Sequence, residues 1–331
     1  MILVTGGTGL VGSHLLYHLT QKNEQIRAVY RSEESLQKVR NVFSYYTSEI
    51  DPLFSKIEWR QADITDVPSM IPVFEGITQV YHSAAFISFD PADYRDMRKV
   101  NIHGTAIMVN LAIDAGVKKF CYVSSIAAVG DDPKKAVADE SNEWAGNEKN
   151  HGYSITKYGG EMEVWRASQE GVDVVIVNPG IILGSGFWHS GSGKLFSNVA
   201  KGFKYYTNGS TGFVGVKDVV MSMISLMESD VKNERFILVS ENRSYRDVLF
   251  KIADELGKKR PSKLVKPWES ELFWSLEWLV SKLTSRRVRM SKQSAKSLHS
   301  VSKYSSEKIQ KTIGFQFQEI DTVIEEVCKD Y

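Results

Sequence analysis

Cysteine is scarce. Only Cys121 and Cys328 occur among 331 residues, too few for a disulfide framework. A surplus of charge is lacking as well: 41 Lys and Arg stand against 40 Asp and Glu, a formal net charge of +1, so no global field points to nucleic acid or to a membrane. No apolar run is long and uninterrupted enough for a bilayer, and no charged stretch with an apolar one behind it precedes the first strand. The expectation is a soluble protein of the reducing cytoplasm, with no leader before Met1, no nucleic-acid partner and no stable membrane insertion. Internal repeats are absent. Neither His82 nor His151 has a second His or a carboxylate at ligand spacing, so no metal is expected. His82 reads as structural; His151, just before Tyr153, is within reach of a substrate but is not counted among the site residues.

What is present is a 42% hydrophobic composition, enough to bury a sizeable core in one large domain or two. The chain begins MILVTGGTGLVGSHLL. Ile2, Leu3 and Val4 suit a strand buried on both faces. Val11, Leu15, Leu16 and Leu19 then recur at helical spacing. Gly6, Gly9 and Gly12 fill the tight turn between them, where missing Cβ atoms permit unusual φ angles, close approach of a pyrophosphate and close helix-sheet packing. The helix N-terminus faces the anion. Gly6, Thr8, Gly9, Leu10, Val11 and Gly12 are therefore the candidate phosphate-binding set.

Strand-like runs alternate with helical patterns in ILVTG, QIRAVYR, KIEWRQADI, TQVYHSAA, KKFCYVSS and DVVIVNPG. That alternation predicts an α/β fold with a doubly wound parallel sheet. Helices are expected over roughly 92–115 and 153–170, flanking the central strands. After Asn178 the alternation weakens, and a last strand-helix pair appears in RFILVS and YRDVLFKIADELG. The expected division is 1–180, which also receives parts of 213–240, and a smaller α/β unit mainly from 181–331. Leu272, Phe273, Leu276, Leu279 and Leu283, with Trp274 and Trp278 beside them, fit a core or a pocket wall; RRVRMSK fits a solvated face.

Tyr153 and Lys157 form Y-x-x-x-K at the start of the second helix, on one face. A phenol near its ordinary pKa of ~10 is a poor acid-base group at neutral pH, and an ammonium one turn away is expected to lower that value. Ser124 and Ser125 end a strand, and ligands sit at the carboxyl ends of parallel strands. Ser125 is the substrate-binding candidate, whereas Ser124 reads equally as a cofactor contact or as a backbone partner.

Together these features resemble the extended short-chain dehydrogenase/reductase family over nearly the whole chain, most closely its dihydroflavonol-reductase-like branch. The resemblance implies a Rossmann-type fold, a nicotinamide cofactor bound by 1–180 and a substrate-binding unit after it. It further implies that Ser125 positions the substrate oxygen, that Tyr153 transfers a proton, and that Lys157 binds the nicotinamide ribose. Asp63 and Ile64 fall near the adenine, Ala84 and Ala85 at the cofactor-side strand end, and Pro179 and Gly180 in the nicotinamide pocket. Asn101 stands either as a proton relay or as a helix anchor.

Tyr30 and Arg31 end the second strand where an NAD enzyme usually offers a carboxylate, so NADP is expected, with NAD as the alternative and Glu33 weakening the preference. Nucleotide-sugar epimerases of this fold commonly open the segment TGFVGVKDVV with an arginine; here Thr211 stands ahead of Phe213, Val214, Val216 and Asp218. Lys194, Lys201 and Lys204 are compensating candidates. Phe187, Trp188, Phe196 and Phe203 suit a small apolar or aromatic carbonyl or alcohol. The expected function is an NADP-dependent oxidoreductase. A nucleotide-sugar epimerase or dehydratase with tightly held NAD is the alternative, and a non-catalytic NADP sensor the third reading. A homodimer is left open.

Overall fold

A computed structural model describes residues 1–22, 24–130, 135–144, 152–272, 274 and 292–331. The six runs read as strands all form: β1 (Ile2–Thr5), β2 (Ile26–Tyr30), β3 (Ile57–Gln61), β4 (Gln79–His82), β5 (Lys119–Val123) and β6 (Asp173–Pro179). Three short strands follow, β7 (Ile181–Leu183), β8 (Tyr205–Tyr206) and β9 (Ser210–Gly215). The chain then returns to the main sheet as β10 (Glu234–Leu238), before β11 (Glu241–Ser244) and β12 (Lys263–Leu264).

The main sheet has the order β10-β6-β5-β4-β1-β2-β3, and every neighbouring pair is parallel. All its strands therefore end on one edge, and the order reverses between β1 and β4, which opens a crevice there. Alternation along β1 explains its continuous apolar run. Ile2 and Val4 enter one core with Leu15, Leu16 and Leu19, while Leu3 enters the other with Val80, Phe120 and Tyr122.

The α-helices up to Glu255 are α1 (Leu10–Thr20), α2 (Glu34–Ser44), α3 (Ile50–Phe54), α4 (Val67–Met70), α5 (Tyr94–Arg98), α6 (Thr105–Asp114), α7 (Gly152–Gln169), α8 (Gly193–Ala200), α9 (Val216–Glu228) and α10 (Tyr245–Glu255). Helices α1, α2 and α9 cover the first face of the sheet, and α6 and α7 the second. The expected helix over 153–170 is α7. The one over 92–115 is broken: α5 runs into a π-helical turn, Lys99–Gly104, before α6 begins. Crowding accompanies the break. A Cβ on Gly104 would lie 2.9 Å from Ile64 Cδ1, and Gly160 of α7 approaches the Asn101 carbonyl so closely that its Cβ would stand 2.5 Å away.

A second layer is built from the sheet β11-β9-β7 and the parallel ribbon β12-β8. Its core joins Leu183, Phe196, Val199 and Phe213 to α10 and to the helix Ile320–Lys329. Among the described residues no helix is long and apolar enough to cross a membrane. His151, Phe273, Leu276, Trp278, Leu279, Leu283 and 286–291 lie outside the described residues. Of that apolar stripe, Leu272 is exposed and Trp274 half-buried.

Candidate active site

The three glycines of the first turn are not equivalent. Gly6 has φ +69°, and a Cβ there would meet Ala84 N at 2.5 Å; a Cβ on Gly12 would meet the Gly6 carbonyl oxygen at 2.2 Å. Both positions exclude any side chain. Gly9 caps α1 with extended φ −99° and no side-chain cap, and its Cβ would approach only the Gly6 oxygen, at 3.4 Å. Gly9 is thus a cradle that a side chain would fill, with half-buried Thr8, Leu10 and Val11 around it. The uncapped amides of the first turn suit a pyrophosphate.

The other cofactor candidates lie along the same edge. Arg31 follows β2, is exposed, and makes no ion pair among the described residues. Asp63 follows β3 and accepts hydrogen bonds from the Thr65 amide and hydroxyl, both at 2.8 Å. Burial lifts its carboxyl, but those bonds and the Arg31 and Lys99 charges outweigh it and hold the pKa below the ordinary value. Ile64 is buried at 8% exposure. Ala84 is half-buried and Ala85 exposed just beyond β4. Pro179 ends β6, and Gly180 passes so close to Gly212 that a Cβ would lie 2.4 Å from its oxygen.

Ser125, Tyr153 and Lys157 meet at the end of β5. Ser125 caps a short 3-10 turn, Ile126–Ala128, its hydroxyl accepting from Ala127 N at 3.1 Å. The Ser125 side chain also hydrogen-bonds the Tyr153 phenol, which pulls that pKa down, while burial, the larger effect, pushes it above its ordinary value. Lys157 is 1% exposed. It donates to the Tyr122 hydroxyl at 3.0 Å and to the Val123 carbonyl at 2.7 Å. Burial drops its ammonium to about 7, with Glu161 pulling the other way. The expected direction for Tyr153 is therefore corrected. Desolvation, invisible in a four-residue spacing, outweighs the Ser125 hydrogen bond, and the phenol stays protonated at neutral pH.

Asn101 is 1% exposed and sits in the π-helical turn. Its amide donates to the Phe86 carbonyl at 2.9 Å and to Thr156 Oγ1 at 3.1 Å, and its oxygen accepts from Phe86 N at 2.7 Å. It ties the loop after β4 to α7, as an anchor does. Ser124 Oγ donates to Glu161 Oε2 at 2.7 Å. Glu161, on α7 one turn beyond Lys157, is a residue that the sequence reading missed; its signal was a carboxylate four positions after the lysine.

His82 is structural. Thr105 Oγ1 donates to the Asn101 carbonyl at 2.8 Å and so accepts from His82 Nε2, 3.1 Å away. That leaves Nδ1 to accept from Thr5 Oγ1 at 2.6 Å. The imidazole is buried and its pKa falls to about 3.

The aromatic residues assigned to substrate do not converge on one surface. Phe196 is fully buried in the second-layer core and Phe203 is 43% exposed. Trp188 packs edge-on against Phe196 and Tyr331, and Phe187 is half-buried. Lys194, Lys201 and Lys204 are exposed. Thr211, in β9, pairs across the strand with Arg243 of β11.

A parallel sheet with its crevice beside a glycine turn, and a Ser-Tyr-Lys cluster one strand away, define a dinucleotide-binding enzyme. Residues 2–238 match the NAD dependent epimerase/dehydratase family, and the chain belongs to it as an NAD(P)-dependent oxidoreductase of the extended short-chain dehydrogenase/reductase type, in the dihydroflavonol-reductase-like branch. It is 30% identical over 270 residues to sterol demethylase protein B of Methylococcus capsulatus, covering 80% of this chain and 77% of that one. Cinnamoyl-CoA reductase 1 of Arabidopsis thaliana is 25% identical over 271 residues, 78% of this chain and 76% of the relative. The fold is shared with dTDP-glucose 4,6-dehydratase DesIV of Streptomyces venezuelae, solved with NAD bound: TM-score 0.77 at 17% identity, covering 100% of this chain and 96% of that one. The cofactor is a nicotinamide dinucleotide.

Proposed function

We propose that this chain is an NADP-dependent reductase of a small apolar or aromatic carbonyl, acting equally on the matching secondary alcohol in reverse. The observation that carries this reading is the Ser125–Tyr153 hydrogen bond at the end of β5, beside the buried cation of Lys157. A bound reduced nicotinamide supplies the hydride. Ser125 hydrogen-bonds the substrate oxygen and orients it, and Tyr153, kept protonated by its burial, gives that oxygen its proton as negative charge develops. Lys157 holds the nicotinamide ribose and stabilises the phenolate that remains. Asn101 keeps the loop after β4 in register with α7.

The dinucleotide is held by 1–180 with parts of 213–240, and 181–331 mainly forms the substrate side. Gly6, Thr8, Gly9, Leu10, Val11 and Gly12 cradle the pyrophosphate, Asp63 and Ile64 flank the adenine, and Arg31 faces the ribose 2′-phosphate. Ala84, Ala85, Ser124, Pro179 and Gly180 lie toward the nicotinamide. The test is loss of reduced-nicotinamide absorbance with a panel of aromatic and aliphatic aldehydes and ketones, run beside UDP-sugars. Turnover of one or more carbonyls is expected. Epimerisation of a UDP-sugar with no net cofactor consumption would instead establish the nucleotide-sugar reading.

A further inference from the structure

Behind the proposed site lies a carboxylate with no access to solvent. Glu161 Oε2 accepts from Ser124 Oγ at 2.7 Å and from Asn178 Nδ2 at 3.0 Å, and Glu161 Oε1 takes an ion pair from Arg235 Nη1 at 3.2 Å. Its side chain is 0% exposed and that of Arg235 15%. Three elements converge on it besides its own helix: the end of β5, β6 through Asn178, and β10 through Arg235. The same Asn178 amide donates to the Ser125 carbonyl at 3.0 Å. Both partners of that amide are acceptors, so the NH2 must face them, and Asn178 Oδ1 is left buried without a partner among the described residues. An unpaired buried acceptor is a cost to the fold, borne here where the Asn178 amide ties Glu161 to the Ser125 carbonyl.

We propose that Glu161 is a positioning residue for hydride transfer: it fixes the Ser124–Ser125 strand end from behind and is the charge partner of the Lys157 ammonium one helical turn away. Removing one buried partner leaves the other charge uncompensated, and Arg235 would then lose its carboxylate. The groups around Lys157 are the Tyr122 hydroxyl of β5, Tyr153 of its own helix, neutral His82 of β4, and Glu161. Beyond Arg235 lie the Glu140 and Asn142 carbonyls, each within 3.0 Å of its guanidinium. This role rests on the reductase reading, but its test does not need a substrate.

The experiment is the NMR titration of the Lys157 Nζ resonance in the full chain, assigned as the signal lost in Lys157→Met. Glu161→Gln should lower the titration midpoint by about one pH unit or more, a tenfold or greater loss of proton affinity, as expected when a nearby buried opposite charge is removed. Arg235→Gln, which removes the competing cation and keeps the carboxylate, should raise it, and this keeps the question answerable if Glu161→Gln does not fold. A purely structural Glu161 would destabilise the variant and leave the midpoint in place. Flat titrations in folded variants of a wild type that does reduce carbonyls overturn the positioning role alone. Shifted midpoints in a wild type that reduces none overturn the reductase reading and leave the charge pairing standing.

Discussion

Lys157 Nζ lies 3.0 Å from the Tyr122 hydroxyl and 4.4 Å from the centre of its ring, so the cation of the Y-x-x-x-K pair is turned into the sheet. Burial drives the pKa values of its two members apart, the phenol up from its ordinary value and the ammonium down to about 7. The site thus holds its proton on tyrosine at neutral pH, which suits carbonyl reduction. Tyr153→Phe should cut turnover by ~10²–10⁴-fold while leaving cofactor affinity within a few-fold. Lys157→Ala should weaken both. Retention of more than about a tenth of the wild-type rate by Tyr153→Phe, against that general acid-base magnitude, would sink the assignment.

The glycine turn separates folding from binding. Gly6→Ala places a Cβ at φ +69° and 2.5 Å from Ala84 N, so it should fail to fold or lose several kcal/mol, on the order expected for backbone strain plus a clash. Gly9→Ala has an allowed φ of −99° and open space outside one 3.4 Å contact. Its melting temperature should stay near wild type while its affinity for the dinucleotide drops. Equal loss of stability in both variants would mean that Gly9 is a packing glycine.

On the proposed NADP reading, cofactor choice turns on Arg31. A guanidinium-phosphate contact contributes on the order of 1.5–3 kcal/mol, roughly tenfold to a hundredfold in preference. Calorimetry should find tighter binding of NADP than of NAD, with Arg31→Ala removing most of the difference. Tighter NAD binding by the wild type contradicts the choice.

Acid should unfold this protein through its histidines. His14 is 2% exposed, its Nε2 donating to the Ser185 carbonyl at 3.1 Å and its Nδ1 accepting from the Tyr46 hydroxyl. Burial lowers its pKa from 6.5 to about 4. The unfolded chain therefore takes up the proton first as pH falls. The stability contributed by neutral His14 is full above 6.5 and is lost between 6.5 and about 4, on the order of 3 kcal/mol. His82 steepens the same descent and extends it to about 3. Urea midpoints across this range should fall with pH, less steeply in His14→Gln; an unchanged slope in that variant would show that other groups set it.

Six strands, the glycine turn and the Ser-Tyr-Lys cluster were legible because each rests on a local signal: a doubly buried apolar run, a spacing, or a strand end. The π-helical turn was not, since it depends on Gly104 meeting Ile64 and Asn101 meeting α7 from distant parts of the chain. Glu161 was hidden for the same reason. Its partners come from β5, β6 and β10, and no periodicity joins Arg235 to a helix 74 positions earlier. The direction taken by Tyr153 needed burial, which spacing does not report. Phe196 looked like a substrate contact and is core, because aromatic content alone does not say which way a side chain faces.

Thr211 bears on the substrate through the residue opposite it. Directly opposed residues of an antiparallel pair share a face, so Arg243 stands beside the place where epimerases of this fold carry an arginine. Its guanidinium is already engaged, with Glu241 at 2.9 Å and Asp321 at 3.1 Å. A diphosphate would have to displace two carboxylates to use it, and a threonine hydroxyl cannot replace a planar charged fork. Lys194, Lys201 and Lys204 are exposed to solvent, where a point charge is screened and adds little. We therefore expect UDP and UDP-sugars to leave the melting temperature of the NADP complex unchanged, while a small aromatic ketone or aldehyde raises it. A ligand at ~100 times its dissociation constant stabilises by about 2.7 kcal/mol, large enough to read directly. A clear shift with UDP-sugars, lost on adding Thr211→Val and accompanied by C4 epimerisation, would reverse this conclusion and make the diphosphate the natural occupant.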